Sequence, residues 1–466
     1  MSDDTTSKLL FCLLNNKVGG GNRILFELAN RSLQAGFDAK LYFLDKSGPP
    51  TWFANSCKIA ENSIESELSD YDFVFVSNAS AVPALLPHCD INKLVLVCQG
   101  FESYCYGETI NDLLSPKPSI ENILKIGNPI IATSKSIQSL IKNNVGRDSL
   151  LVPVAIDKDQ FATERSQLAE SESVRSGKSP KRILAVGDYR AKFKGMLDLA
   201  DALKMLNKEI PIELVLLTQQ KVAKDWFKNY DFPIEFNCNP PQSELAALYA
   251  SCHVYCCASW YEGFGLPCLE AFSVGIPVVS TNNFGVTEFA RDGENILLAR
   301  PHSPNDLAAK LRTLLTDSAL RQSLIENGTA TADKYTWQQT MSCFFETLKQ
   351  MEQTKSDAVA PTQTELEFML EELENHGYYT PPQVEQALSI LSIELQTLCR
   401  RIKEGDIDEA ESTQMLQQIR QQLKVHLHNP ASSYYKEFKA RFDLCQMFSV
   451  IENPKDWQKM LSFSES

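Results

Sequence analysis

Short apolar runs alternate along this chain with longer stretches in which apolar residues recur every three or four positions. Leu9 to Leu14 is the first run, and it leads into the turn Gly19–Gly20–Gly21. Ile24, Leu25, Leu28, Ala29 and Leu33 then repeat at helical spacing, and Gly36 is placed to end that helix. Ala39 to Leu44, Asp72 to Ser77, Lys93 to Cys98 and Pro129 to Thr133 are further short strand-like runs with helical stretches between them. After a polar stretch from Thr163 to Arg182 the pattern restarts. Arg182 to Gly187, Ile212 to Leu217, His253 to Ala258 and Pro277 to Thr281 read as strands, and Met196 to Leu206 as an amphipathic helix. Alternation at this spacing predicts parallel, doubly wound α/β sheets.

A second polar stretch, Thr354 to Gln363, precedes a segment with no strand signal. Val384, Ala387, Leu388, Leu391, Leu395 and Leu398 make one apolar helical face, and Met415, Ile419, Leu423 and Leu427 another. The expected organisation is therefore three parts: an α/β domain over 1–162, a second over 180–351, and an all-helical extension over 365–466. An apolar face must be buried somewhere. The extension is expected to mediate self-association or to bind a protein partner.

Composition narrows the function classes. Lys plus Arg is 45 and Asp plus Glu is 59 in 466 residues, for a formal charge of −14. That balance argues against nucleic acid as a partner and against simple docking on anionic lipid. The 13 cysteines are odd in number and scattered, and no CxxC pair occurs. They read as reduced core residues rather than a disulfide framework or a zinc site. The acidic, polar N-terminus MSDDTTSK is no signal peptide. No apolar run reaches the roughly 18 residues that span a bilayer. The expected location is the cytoplasm, with a peripheral place at the inner face of a membrane as the variant of that reading.

The stretch Trp260 to Gly275, WYEGFGLPCLEAFSVG, follows a strand, bends through Gly263 and Gly265, and enters a helix with Pro267 in its first turn. Such a turn exposes backbone N–H groups at a helix N-terminus and favours phosphate. Glu262 and Glu270 are eight positions apart, so both can face one crevice, and carboxylates suit the hydroxyls of a ribose or a sugar ring. On spacing alone, acids gathered at a helix N-terminus by its dipole remain the competing explanation.

GFGLP between two glutamates spaced E-x7-E, followed by AFSVGIPVVST and GVTEFARDGENILL, resembles the retaining glycosyltransferases of family 4, which have the GT-B fold. Val186–Gly187 with Lys194–Gly195, the segment Val152 to Phe161, and the Gly19–Gly21 turn with Arg23 extend the resemblance over about residues 8–350. It implies two Rossmann-like domains facing a cleft and a metal-independent transfer of a hexosyl or deoxyhexosyl group from a nucleotide-diphosphate donor. The acceptor would be a hydroxyl of a glycan, a lipid-linked saccharide or another glycoconjugate, as in polysaccharide biosynthesis. Glu270 would hold the ribose. Glu262, with the backbone of Gly263, Phe264, Gly265 and Leu266, would hold sugar and phosphates, and Gly19, Gly20 and Gly21 would also bind the donor. Lys194, helped by Arg190, would stabilise the leaving diphosphate.

Two positions depart from that pattern. Asp188 stands where the family has an arginine, and Gln99 where many members have a histidine. Gln99 can hydrogen-bond a hydroxyl but cannot act as a general base. Glu102 is the nearby carboxylate that could substitute. These departures keep two alternatives open: a non-catalytic scaffold or binding protein with the same fold, and a sugar-nucleotide epimerase. Asp-x-Asp occurs at Asp70/Asp72, Asp157/Asp159 and Asp406/Asp408 without a consistent setting. No essential metal or other cofactor is expected.

Overall fold

The computed structural model describes residues 7–101, 118–158, 160–161, 180–219, 227–354 and 359–375. Apart from Phe43–Ser47, the described residues up to 361 form one compact unit. Its core is two sheets. The first comprises β1 (Lys8–Leu13), β2 (Asp38–Phe43), β3 (Lys58–Ile59), β4 (Phe73–Val76), β5 (Leu94–Cys98), β6 (Ile130–Ala132) and β7 (Leu150–Leu151), in the order β3-β2-β1-β4-β5-β6-β7. The second comprises β8 (Lys181–Val186), β9 (Ile212–Thr218), β10 (Ile234–Cys238), β11 (Val254–Cys257), β12 (Val278–Thr281) and β13 (Leu297–Ala299), in the order β10-β9-β8-β11-β12-β13. All five pairings of the second sheet are parallel, as are β2–β3, β1–β4 and the pairings from β4 to β7 in the first.

This is two Rossmann-like sheets, each wound outward from its first strand. The apolar runs become central strands because both faces are covered by helices: Leu9 to Leu13, Val74 to Val76 and Ile183 to Ala185 are almost fully buried. The observed strands fall within one or two residues of the expected ones. β3, β7, β10 and β13 are additions that the apolar pattern does not reveal. Helix Met196–Leu206 begins and ends where its periodicity places it.

The helix Trp337–Gln353 carries the chain from the second sheet back to the first. Phe344 packs on Phe75 and Phe11 at ring-centroid distances of 5.3 and 6.4 Å, and Thr340 Oγ1 donates to the Pro153 carbonyl at 2.7 Å. Arg31 of helix Gly20–Gln34 lies 4.7 Å over the Trp337 ring.

A second unit takes in Phe43–Ser47 and, among the described residues, 362–375. Its helix Gln363–Asn375 starts with a capping box: Thr362 N and Oγ1 both donate to Glu365 Oε2 at 2.8 Å. The apolar faces expected over 384–398 and 415–427 lie outside the described residues, as do Glu102 and most of the polar stretch after Thr163. No described helix is long and apolar enough to cross a membrane.

Candidate active site

In an open α/β sheet the crevice lies beyond the carboxyl ends of the strands, where strand order reverses. Those points are the loops after β1 and β4 in one sheet and after β8 and β11 in the other. The four loops meet around a cavity of about 640 Å³. Gly19, Gly20, Gly21 and Arg23 line it after β1, Ser77 after β4, Asp188 and Lys194 after β8, and Glu262 to Pro267 with Glu270 after β11; Gln99 and Gly100 join them from the loop after β5.

The glycines divide into two kinds. A Cβ on Gly20 would meet nothing within 4 Å, and one on Gly19 only Gln219 Nε2 at 3.9 Å. Packing does not require these glycines; they leave room in the cavity. Gly263 is the opposite, because a Cβ there would sit 1.9 Å from the Gln99 carbonyl oxygen. The loop after β11 therefore lies flat on the backbone after β5, and Ser134 Oγ fastens it by donating to the Gly263 carbonyl at 3.1 Å. Gly265 has φ +94° and caps the helix Leu266–Val274, so the first N–H groups of that helix open on the cavity beside Leu266 and Pro267.

Glu262 and Lys194 meet. Lys194 Nζ donates to Glu262 Oε1 at 2.8 Å, and Ser259 Oγ donates to the same oxygen at 2.6 Å. The side chains are 24% and 16% exposed, so the pair is shielded yet still reachable from the cavity. Lys194 ends the short turn Lys192–Lys194, and Gly195 follows at φ +62°. Glu262 N is tied to the Asn283 carbonyl at 2.9 Å, which continues the edge of β12.

Glu270 points to the cavity from one turn into its helix. Tyr249 Oη donates to its Oε2 at 2.7 Å, and Arg23 Nη1 lies 3.5 Å from Oε1. Burial and the neighbouring Glu270 charge push the Tyr249 phenol well up, so it remains a neutral donor. Arg23 Nη2 also reaches Gln160 Oε1 at 3.1 Å.

Arg190 does not line the cavity. Its Nε and Nη2 fold back on Asp188, with Nη2 2.6 Å from Oδ2. Asp188 lines the wall in its stead. Burial would raise the Asp188 carboxyl, but hydrogen bonds from the side chain and backbone of Arg190, with the Arg190 and Lys194 charges, hold it below the usual carboxylate range. Gln99 spends Nε2 on the Gly21 carbonyl at 3.0 Å, which joins the glycine turn to the end of β5. Among the described residues, no group of three or more His, Cys, Asp and Glu side chains could hold a metal ion.

The structure thus gathers Gly19 to Gly21, Gln99, Lys194, Glu262 to Leu266 and Glu270 around one cavity. Ser259, Tyr249 and Ser134, which carry no signal in the sequence, do not line it but hold Glu262, Glu270 and the Gly263 carbonyl in place. Their roles depend on partners 3, 21 and 129 positions away. Only the Ser259–Glu262 spacing was within reach of local inspection.

Comparison with known proteins bears on the family and the fold. Residues 166–331 match the family model "Glycosyl transferases group 1". An uncharacterized glycosyltransferase of Methanocaldococcus jannaschii is 27% identical over 293 residues, covering 62% of this chain and 77% of that protein. An MMP alpha-(1->4)-mannosyltransferase of Mycolicibacterium hassiacum is 31% identical over 198 residues, covering 40% of this chain but only 45% of that protein. Among solved structures, sucrose-phosphate synthase from Thermosynechococcus elongatus superposes with a TM-score of 0.59 at 17% identity, over 75% of this chain and 100% of that one. Anabaena HepE, solved in complex with UDP-glucose, gives 0.57 at 18% identity, over 74% of this chain and 100% of that one. At these identities the superpositions carry the fold alone, and the fold is GT-B. The glycosyltransferase reading comes from the sequence matches, which cover part of the chain and support a glycosyltransferase enzyme.

Proposed function

We propose that this chain is a retaining glycosyltransferase that moves a sugar from a nucleoside-diphosphate donor to a hydroxyl acceptor. The observation that carries the reading is the Lys194–Glu262 pair, held at 2.8 Å beside an open helix N-terminus in the cavity between the two sheets. The E-x7-E spacing of Glu262 and Glu270, shared with the retaining family-4 enzymes, supports the same reading.

In this mechanism Glu270 accepts hydrogen bonds from the ribose hydroxyls. Glu262 accepts from hydroxyls of the donor sugar, and the N–H groups at Gly265 and Leu266 face the phosphates. As the bond between the anomeric carbon and the phosphate oxygen breaks, charge builds on the leaving diphosphate. Lys194 is already in place to stabilise it, so little reorganisation is needed at that moment. The acceptor oxygen attacks the same face of the anomeric carbon, and its proton passes to the departing phosphate oxygen. Gln99 takes no proton; it positions the Gly19–Gly21 turn and offers Oε1 to a hydroxyl. Lys194 supplies the cation that the diphosphate needs, and we assign no step to a metal. HepE is solved with UDP-glucose, which makes that donor the first to try.

The test is incubation with a panel of nucleotide sugars, UDP-glucose and GDP-mannose among them, with release of nucleoside diphosphate as the readout. One donor should be turned over, in excess EDTA as well as without it. The product sugar should keep the donor's anomeric configuration by proton NMR. Binding of every nucleotide without turnover of any donor would contradict the reading, and an inverted product would contradict its stereochemistry.

A further inference from the structure

Asp198 is a buried carboxylate that none of the steps above uses. It lies on helix Met196–Leu206, is 7% exposed and does not line the cavity. Its Oδ2 accepts the indole N–H of Trp260 at 2.6 Å, and both oxygens lie 3.1 Å from His302 Nδ1. Trp260 is itself 8% exposed, and its ring meets the His302 ring edge-on at 4.8 Å. Keeping a carboxylate out of water is costly, and the donors gathered here compensate for it.

These contacts frame Lys194 and Glu262. Asp198 stands four positions after Lys194, and Trp260 two before Glu262. The Trp260 backbone N–H donates to the Phe193 carbonyl at 2.6 Å, next to Lys194. A Cβ on Gly195 would stand 2.1 Å from the Ala258 carbonyl oxygen, so the lysine turn rests flush on the segment that leads to Glu262. The indole bond to Asp198 closes this seam at its far end.

We propose that Asp198 is a positioning residue, which sets the Lys194–Glu262 distance by clamping Trp260. The assignment deepens the proposed mechanism and rests on it for the role of the pair. Because Asp198 acts on the pair through Trp260, the loss of either side chain should displace Lys194 in the same direction.

The first test needs no ligand. Lysines are dimethylated with a carbon-13 label, and the Lys194 signal is assigned with Lys194→Arg. In Asp198→Ala and Trp260→Phe that signal should move toward its position in Glu262→Gln. Asp198→Asn keeps an acceptor for the indole and should leave the signal where wild type has it. Should Asp198→Ala fail to fold, Trp260→Phe, a smaller change, decides alone. A Lys194 signal unmoved in Trp260→Phe overturns the proposal, as does one equally displaced in Asp198→Asn.

The second test uses UDP against UMP, and GDP against GMP. The gain in affinity from the β-phosphate should fall about tenfold in Asp198→Ala and Trp260→Phe, the loss of one charge-assisted hydrogen bond. Affinity for the monophosphate should hold. Equal losses for mono- and diphosphate would mark a general structural defect and overturn the assignment. A wild-type protein that gains nothing from either β-phosphate would refute the donor reading instead, which the ligand-free spectrum keeps separate.

Discussion

Lys194 Nζ and Glu262 Oε1 lie 2.8 Å apart although 68 positions separate them in the chain. One comes from the loop after β8 and the other from the loop after β11, the two parallel neighbours between which the strand order of the second sheet reverses. Glu262 thus orients the ammonium, and in the proposed mechanism only the diphosphate has to be added. Lys194→Ala should lower turnover by about 10²- to 10³-fold, the usual scale for removing one preorganised electrostatic contact. Lys194→Arg should recover part of it. Steady-state release of nucleoside diphosphate is the measurement, and an alanine variant with wild-type turnover would refute the role.

Glu270 should act on binding and Glu262 on turnover. Tyr249 Oη and Arg23 Nη1 hold Glu270 from two sides, at 2.7 and 3.5 Å. Tyr249→Phe removes one of these supports and should weaken nucleoside diphosphate binding by about tenfold, the scale of a hydrogen bond to a charged group. Glu270→Ala should weaken it at least as much. Glu262→Ala should lower kcat more than it raises KM. Calorimetry with UDP and GDP, set beside donor turnover, separates the two carboxylates. Unchanged nucleotide affinity in Glu270→Ala would remove that residue from the ribose site.

Much of this frame was legible in the sequence, because buried parallel strands appear as unbroken apolar runs such as Leu9 to Leu13 and Leu94 to Cys98. The edge and short strands were not. Lys58–Ile59 and Leu150–Leu151 are two residues each, and Ile234–Cys238 is only partly buried, so none builds an apolar run. At the site, spacing made Glu262 and Glu270 candidates for one crevice, and it was the resemblance to the family-4 enzymes that gave them, with the Gly19–Gly21 turn, a place on the donor. Arg190 was expected on the donor, but an adjacent carboxylate two positions back captures it. Asp198 and Tyr249 were invisible because a lone Asp or Tyr on a helix has no pattern until the fold supplies its partner.

The two kinds of glycine predict opposite outcomes. Gly263→Ala places a methyl group 1.9 Å from the Gln99 carbonyl oxygen, so backbone must move. It should destabilise the protein by about 2 kcal/mol or more, as overpacking of well-packed regions does. Gly20→Ala meets no atom within 4 Å and should leave the melting temperature unchanged. Gly20 lines the cavity, so the same variant should still weaken donor binding. Thermal denaturation and donor KM, measured on both variants, check this. Equal thermal shifts would contradict the geometry.

The Asp188–Arg190 pair gives the stability a defined pH dependence. The Asp188 carboxyl is held below its ordinary value: burial opposes this, but the Arg190 hydrogen bonds and the Arg190 and Lys194 charges outweigh it. The unfolded chain binds its proton near pH 3.9, at about the model-peptide value, and the folded chain only at lower pH. A depressed acid contributes stability above its unfolded pKa and loses it as pH falls through the folded pKa. Asp188→Asn should therefore cost about 1 kcal/mol between roughly pH 5 and 8, since the pair is only partly shielded from solvent. The difference between variant and wild type should shrink once pH drops below about 4. Urea denaturation of both proteins across that range is the measurement. A difference that persists undiminished in acid would mean that Asp188 stabilises the fold by something other than its charge, and its claim to hold Arg190 away from the cavity would fail with it.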